Sequence, residues 1–118
     1  MIPKSVKTIK GNYENAKNWY GAFQSCKNLR KVSFEQGSQL EVLEDYAFYE
    51  CTSLKTIALP DTLTTIGENC FSRSGLNEIS IPENIKIIES NAFSECKDLY
   101  MINLANNSLL SEIKNQAF

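Results

Sequence analysis

Phenylalanine returns at positions 23, 48, 71, 93 and 118, at steps of 25, 23, 22 and 25 residues. Self-similarity at a period of about 20–50 residues marks a repeat architecture, so this spacing restricts the fold more than any other feature. A small residue precedes each phenylalanine: Ala22, Ala47, Cys70, Ala92 and Ala117. Three positions after it stand Cys26, Cys51, Ser74 and Cys96. Then come Leu29, Leu54, Leu76 and Leu99, followed by Val32, Ile57, Ile79 and Ile102, and by Phe34, Leu59, Ile81 and Leu104. A second apolar pair follows at Leu40/Leu43, Leu63/Ile66, Ile85/Ile88 and Leu110/Ile113, five residues before the next phenylalanine.

The unit is L-x-x-I-x-L, often proline, L-x-x-I, a polar turn, then A-F-x-x-C. Its I-x-L segment alternates with period two and is rich in β-branched residues, which predicts a short strand. Proline follows at Pro3, Pro60 and Pro82; lacking an N–H and fixing φ, it ends the strand and turns the chain. L-x-x-I is too brief for a helix and predicts a second extended segment on the opposite wall. A-F-x-x-C, after polar residues such as Gly67-Glu68-Asn69, predicts a helical or 3₁₀ turn. One such unit buries too little apolar surface to offset its ordering entropy; stacking copies buries each column between its neighbours. The expectation is a solenoid with a parallel sheet along one wall.

The run from Leu54 to Phe71 (LKTIALPDTLTTIGENCF), followed by LNEISIPENIKIIESNAFSECKDL from Leu76, resembles the BspA-like, or Treponema pallidum-type, leucine-rich repeat from about residue 2 to 118. The proline, Ala-Phe and cysteine positions all fit. The resemblance implies one α/β leucine-rich-repeat solenoid over residues 1–118, with about four full repeats, mostly short parallel strands, turns and short 3₁₀ or helical segments. It also implies a surface or extracellular protein, some of whose relatives act as adhesins on host cells or matrix. Several features depart from the pattern. Residues 10–21, with the only tryptophan, form an insert between Ile9 and Phe23. Repeats one and four carry two extra residues in EQGSQ and ANNSL, with Glu35 and Ala105 where proline is expected. Neither end shows a polar cap, which suggests a fragment of a longer array, self-association through the uncapped ends, and an end coil that is sticky or frayed.

Composition narrows the chemistry. The chain has 12 basic and 14 acidic residues, read as interspersed, so no basic face is expected for nucleic acid or anionic membrane. No apolar run approaches the roughly 18 residues of a membrane span, and no secretion signal is recognised. Histidine is absent, which removes the commonest general base, nucleophile partner and zinc ligand. The cysteines are 25, 19 and 26 residues apart with no C-x-x-C pair, against a metal knuckle. They are expected to be buried free thiols with no catalytic, metal or cofactor role; stacked copies could bring Cys26 and Cys51 near each other, but their side chains would run parallel rather than face one another. Glu41, Glu44 and Asp45 have no calcium-loop spacing and are expected to be solvated. Asn106-Asn107-Ser108 matches a glycosylation sequon that a chain rich in asparagine yields by chance.

A ligand is expected on the outward face of the sheet. Arg30, Lys31, Lys55, Thr56, Glu78, Tyr100, Met101 and Asn103 flank the central Val/Ile column and are the candidate contacts; exposed tyrosine and methionine favour interfaces. Trp19 and Tyr20 in the insert are a second candidate, or else part of a short helix laying Trp19 over the first coil as a cap, the preferred reading. The expected partner is a protein or glycan on a host or neighbouring cell, with no nucleic acid and no membrane insertion. The alternatives are a purely structural spacer within a longer array and an enzyme, for which no cleft residue is recognised.

Overall fold

A computed structural model describes residues 1–118. Nine short strands run along the chain: β1 Thr8–Ile9, β2 Gly11–Asn15, β3 Asn18–Gly21, β4 Val42–Leu43, β5 Thr65–Ile66, β6 Glu78–Ile81, β7 Ile87–Ile88, β8 Met101–Leu104 and β9 Glu112–Ile113. There is no helix, which corrects the expected 3₁₀ or helical segments. The phenylalanine repeat explains why. Phe23, Phe48, Phe71 and Phe93 donate their N–H to Ala47, Cys70, Ala92 and Ala117 of the following repeat, at 2.9, 2.8, 2.8 and 2.7 Å. A helix would consume those donors within its own turn. Instead a residue at positive φ precedes the small-Phe pair (Tyr46, Asn69, Asn91, Gln116) and another follows two after it (Ser25, Glu50, Arg73, Glu95). These left-handed residues turn successive N–H groups out along the stack.

The rings stack as the period requires. Phe23, Phe48, Phe71, Phe93 and Phe118 pile with centroids 5.1, 5.3, 5.5 and 5.3 Å apart and planes within 7° of parallel. At these separations parallel rings are offset, the favoured aromatic geometry. Around the column lies a single core of Leu40, Leu43, Leu54, Leu63, Ile66, Leu76, Ile85 and Ile88, all fully buried. The L-x-x-I segments are the second extended wall that their brevity implied: β1, β4 and β5 pair in parallel, as do β7 and β9.

The I-x-L wall is less regular than its pattern. Only β6 and β8 pair as strands, Ile79 opposite Ile102, with one bridge between Ile2 and Phe34. No backbone hydrogen bond joins residues 31–35 to residues 56–60. Residues 56–60 and 78–82 share none either, although both repeats turn at proline, whereas β6 and β8 pair despite a difference of two residues in their turns.

The insert is also corrected: β2 and β3 form an antiparallel hairpin, not a helix. The Asn15 carboxamide oxygen accepts from the Lys17 and Asn18 amides and closes its turn, as asparagine does in turns generally. Trp19 does reach repeat one, where it meets Tyr46 (4.8 Å) and, edge-on, Tyr49 (5.2 Å); Tyr13 stacks on Tyr46 at 5.8 Å. The hairpin therefore lies along the flank of the stack rather than over its end, and Cys26 at that end is exposed. At the other end the core columns of repeat four face solvent, with Ile113 58% and Leu104 52% exposed.

Candidate partner-binding wall

Arg30, Lys31, Lys55, Thr56, Glu78, Tyr100, Met101 and Asn103 are all exposed, as alternation about the buried Val32, Ile57 and Ile79 requires. The strand ladder sets their spacing where it exists: Glu78 stands opposite Met101 and Ser80 opposite Asn103, whose amide reaches the Ser80 hydroxyl at 3.4 Å. Lys55 is drawn aside into a 3.0 Å ion pair with Asp98. Beside it, the Asn77 carboxamide oxygen is buried without a hydrogen-bond partner.

The wall opens where the ladder is missing. A groove of 650 Å³ separates repeats one and two, and the candidates Arg30, Lys31 and Thr56 line it with Phe34, Ile57 and Asp61. Its two backbone edges make no hydrogen bond to each other, so they keep the donors and acceptors that an added extended segment would use. Phe34 and Asp61 escaped the pattern-based selection because they occupy core and turn positions of the repeat. Trp19 and Tyr20 are not brought to this groove. Trp19 is half-buried on Tyr46 and Tyr49, and Tyr20 lines a separate groove with Val42, Glu44 and Thr65.

Charge is not distributed as evenly as the totals suggested. Residues 1–34 carry seven of the twelve basic side chains and one of the fourteen acidic ones. Arg30 and Lys31 thus belong to a basic end, while the rest of the stack is acidic. The left-handed column following each phenylalanine compensates locally: Arg73 reaches Glu50 at 3.4 Å and Glu95 at 3.1 Å, and its guanidinium lies 5.9 Å from the Tyr49 ring centroid. The Glu95 hydrogen bond, then the Tyr49 and Glu95 charges, hold the Arg73 pKa above its ordinary value.

The cysteine column is packing with a directed donor. Cys51 points its thiol at the Phe23 carbonyl (3.1 Å) and Cys96 at the Phe71 carbonyl (3.0 Å). Ser74 lies 3.4 Å from the Cys96 sulfur, so a serine serves where one more repeat has a cysteine. Burial pushes the Cys51 thiol up to about 12 and raises Cys70 and Cys96 as well; such thiols stay protonated and unreactive at neutral pH. All four cysteines are free. No group of three or more Cys, Asp or Glu side chains is placed to hold a metal ion.

The stacked columns coincide with a known pattern. A family model described as the BspA type leucine rich repeat region matches residues 19–118 in six copies. The chain belongs to the BspA-type leucine-rich repeat family. No curated protein and no solved structure matches it. BspA-type membership accounts for the continuous Ala-Phe spine, while β1 and most of the hairpin precede the matched residues. No helix in the chain is long and apolar enough to cross a membrane.

Proposed function

We propose that this BspA-type chain is a non-catalytic interaction module, a short solenoid that holds a protein or glycan of a host or neighbouring cell against its I-x-L wall. The observation that carries the reading is the groove beside Arg30, Lys31 and Thr56, bounded by two backbone edges that do not pair with each other. Its rim carries both signs, Arg30 and Lys31 together with Glu35 and Asp61, which suits a partner segment of mixed charge. Tyr100, 71% exposed, and Met101 extend the contact along the paired strands β6 and β8. Interface energy concentrates in a few such side chains. The family's repeat-module character supports an interaction role, and its surface association makes the outer face of a cell the expected setting.

The test replaces four wall residues together: Lys31→Glu, Lys55→Glu, Glu78→Lys and Tyr100→Ala. Purified wild-type and variant chains are passed over immobilised extracellular-matrix proteins and a glycan array. The wild type is expected to bind at least one of them, and the variant at least tenfold more weakly (about 1.4 kcal/mol) with an unchanged circular dichroism spectrum. Equal binding by a folded variant, or no binding by the wild type, favours a spacer that only holds other segments apart.

A further inference from the structure

The hairpin builds a surface that no other repeat has. Strand β3 alternates, so Trp19 turns to Tyr46 and Tyr49 on one face while Tyr20, on the other, leaves its side chain 55% exposed. Asn12 stands opposite Tyr20 in the hairpin register and shares that face. Nearby runs the L-x-x-I wall, where Val42 pairs with Thr65 across β4 and β5. Hairpin and wall enclose a groove of 580 Å³. Tyr20 and Asn12 line it from the hairpin, Val42 and Thr65 from the wall, and Glu44 and Asp45 from the turn after β4. Two buried glycines draw these parts together: a side chain at Gly11 would strike the Asp45 carbonyl, and one at Gly67 the Asp45 amide and carboxylate. The groove lies between Lys10 and Gly67 and takes nothing from either end of the chain.

Hydrogen bonds inside the chain use up part of its lining. Glu44 is committed to the Gly11 amide at 2.9 Å and to Lys10 at 3.4 Å, and Asp45 Oδ1 to the Glu68 amide at 2.9 Å. Asp45 Oδ2, the Asn12 carboxamide oxygen and the hydroxyls of Tyr20 and Thr65 keep no partner within the chain. Acceptors and hydroxyls therefore surround one bare aromatic ring. The charged groups of the lining are one cation, Lys10, and two anions, Glu44 and Asp45, so a phosphate, sulfate or carboxylate ligand is repelled. A wholly apolar ligand would bury those oxygens unpaired. A pyranose ring meets both halves of the groove: its C–H face covers an aromatic ring, and its hydroxyls donate to and accept from oxygens.

We infer that this groove holds a neutral sugar, a pyranose unit of an oligosaccharide, with its apolar face on the Tyr20 ring and its hydroxyls bonded to Asp45, Asn12 and Thr65. Trp19 serves by position alone. Packed on Tyr46 and Tyr49, it fixes the hairpin so that the groove is formed before the sugar arrives. The site shares no residue with the groove between repeats one and two, so it is additional to the proposed wall and stands or falls apart from it.

The test probes the 118-residue chain against an array of neutral oligosaccharides ending in glucose, galactose, mannose or N-acetylhexosamine, beside sialylated and sulfated ones. The strongest neutral hits are then titrated in solution by calorimetry. Wild type is expected to bind at least one neutral glycan, with a Kd that is level between about 50 and 500 mM salt because no charge is recognised. Tyr20→Ala is expected to weaken that binding at least tenfold with unchanged Trp19 emission. If the emission shifts, Thr65→Lys, at an exposed position on β5, blocks the groove from the wall instead. The fourfold wall variant is expected to bind the same glycan as tightly as wild type, while the matrix-protein arm of the wall test reports on the wall alone. The inference is overturned if only charged glycans, or none, are bound, or if the folded groove variant binds within about threefold of wild type. A tenfold loss at high salt overturns it too, as does loss of the glycan in the wall variant, which would move the sugar to the other groove.

Discussion

Cys51 shows how one residue type can look reactive in sequence and be inert in place. Its thiol is desolvated and donates to the Phe23 carbonyl, so the folded chain holds that proton up to about 12, against 9.0 for an ordinary thiol. A proton held more tightly when folded stabilises fully below the unfolded pKa, and that stabilisation is lost as pH rises from 9.0 through about 12. Urea unfolding midpoints are therefore expected to be level near neutral pH and to fall above about pH 9. Cys51→Ser is expected to shallow that fall and to cost no more than about 1 kcal/mol at neutral pH, because serine keeps the donor. Cys70, raised in the same direction, leaves part of the slope in place. The inward, packing role of the column was legible from its period and from Ser74 standing within it. That Cys26 is exposed was not, because burial depends on whether a neighbouring repeat covers the residue.

Among the elements, the hairpin was the least legible. Tyr13, Trp19 and Tyr20 surround a polar stretch of five residues that offers neither a clean helical stripe nor a glycine turn pair. The strand choice was made by partners outside the insert, Tyr46 and Tyr49. Two glycines at the hairpin's base let it approach: a side chain at Gly11 would strike the Asp45 carbonyl, and one at Gly21 the Tyr46 carbonyl. Gly21→Ala is expected to lift the hairpin, cost about 1–3 kcal/mol, and shift Trp19 fluorescence to the red while far-ultraviolet circular dichroism of the stack persists. An unshifted emission spectrum would show that the hairpin does not depend on this approach. The Ala-Phe turn was misread as helical for a related reason: its pattern fixes which side chains point inward, but only the next repeat shows where its amides go.

In the whole molecule, continuity resides in one wall. The Ala-Phe spine bonds every neighbouring pair of repeats, whereas the I-x-L wall lacks bonds between residues 31–35 and 56–60 and the L-x-x-I wall pairs β5 with β4 but not with β7. Repeat stability is close to a sum of nearest-neighbour terms, so a terminal repeat with one neighbour opens first. Hydrogen exchange on dilute protein is expected to find the Phe48 and Phe71 amides at least roughly a hundredfold slower than those of Ser111 and Glu112, about 2.7 kcal/mol in opening free energy. Uniform exchange across the chain would mean that the four repeats open as one cooperative unit.

From residue types and period alone followed the repeat, the inward columns of phenylalanine, leucine and isoleucine, the outward position of Arg30, Lys31 and their neighbours, and the lack of histidine chemistry. Each depends on side-chain periodicity, which is written in the chain. The absence of helix, the hairpin and the groove between repeats one and two were settled only in three dimensions. Each turns on contacts the period does not encode: the spine amides bond to repeats more than twenty residues on, and the hairpin rests on Tyr46 and Tyr49, more than twenty residues from Trp19.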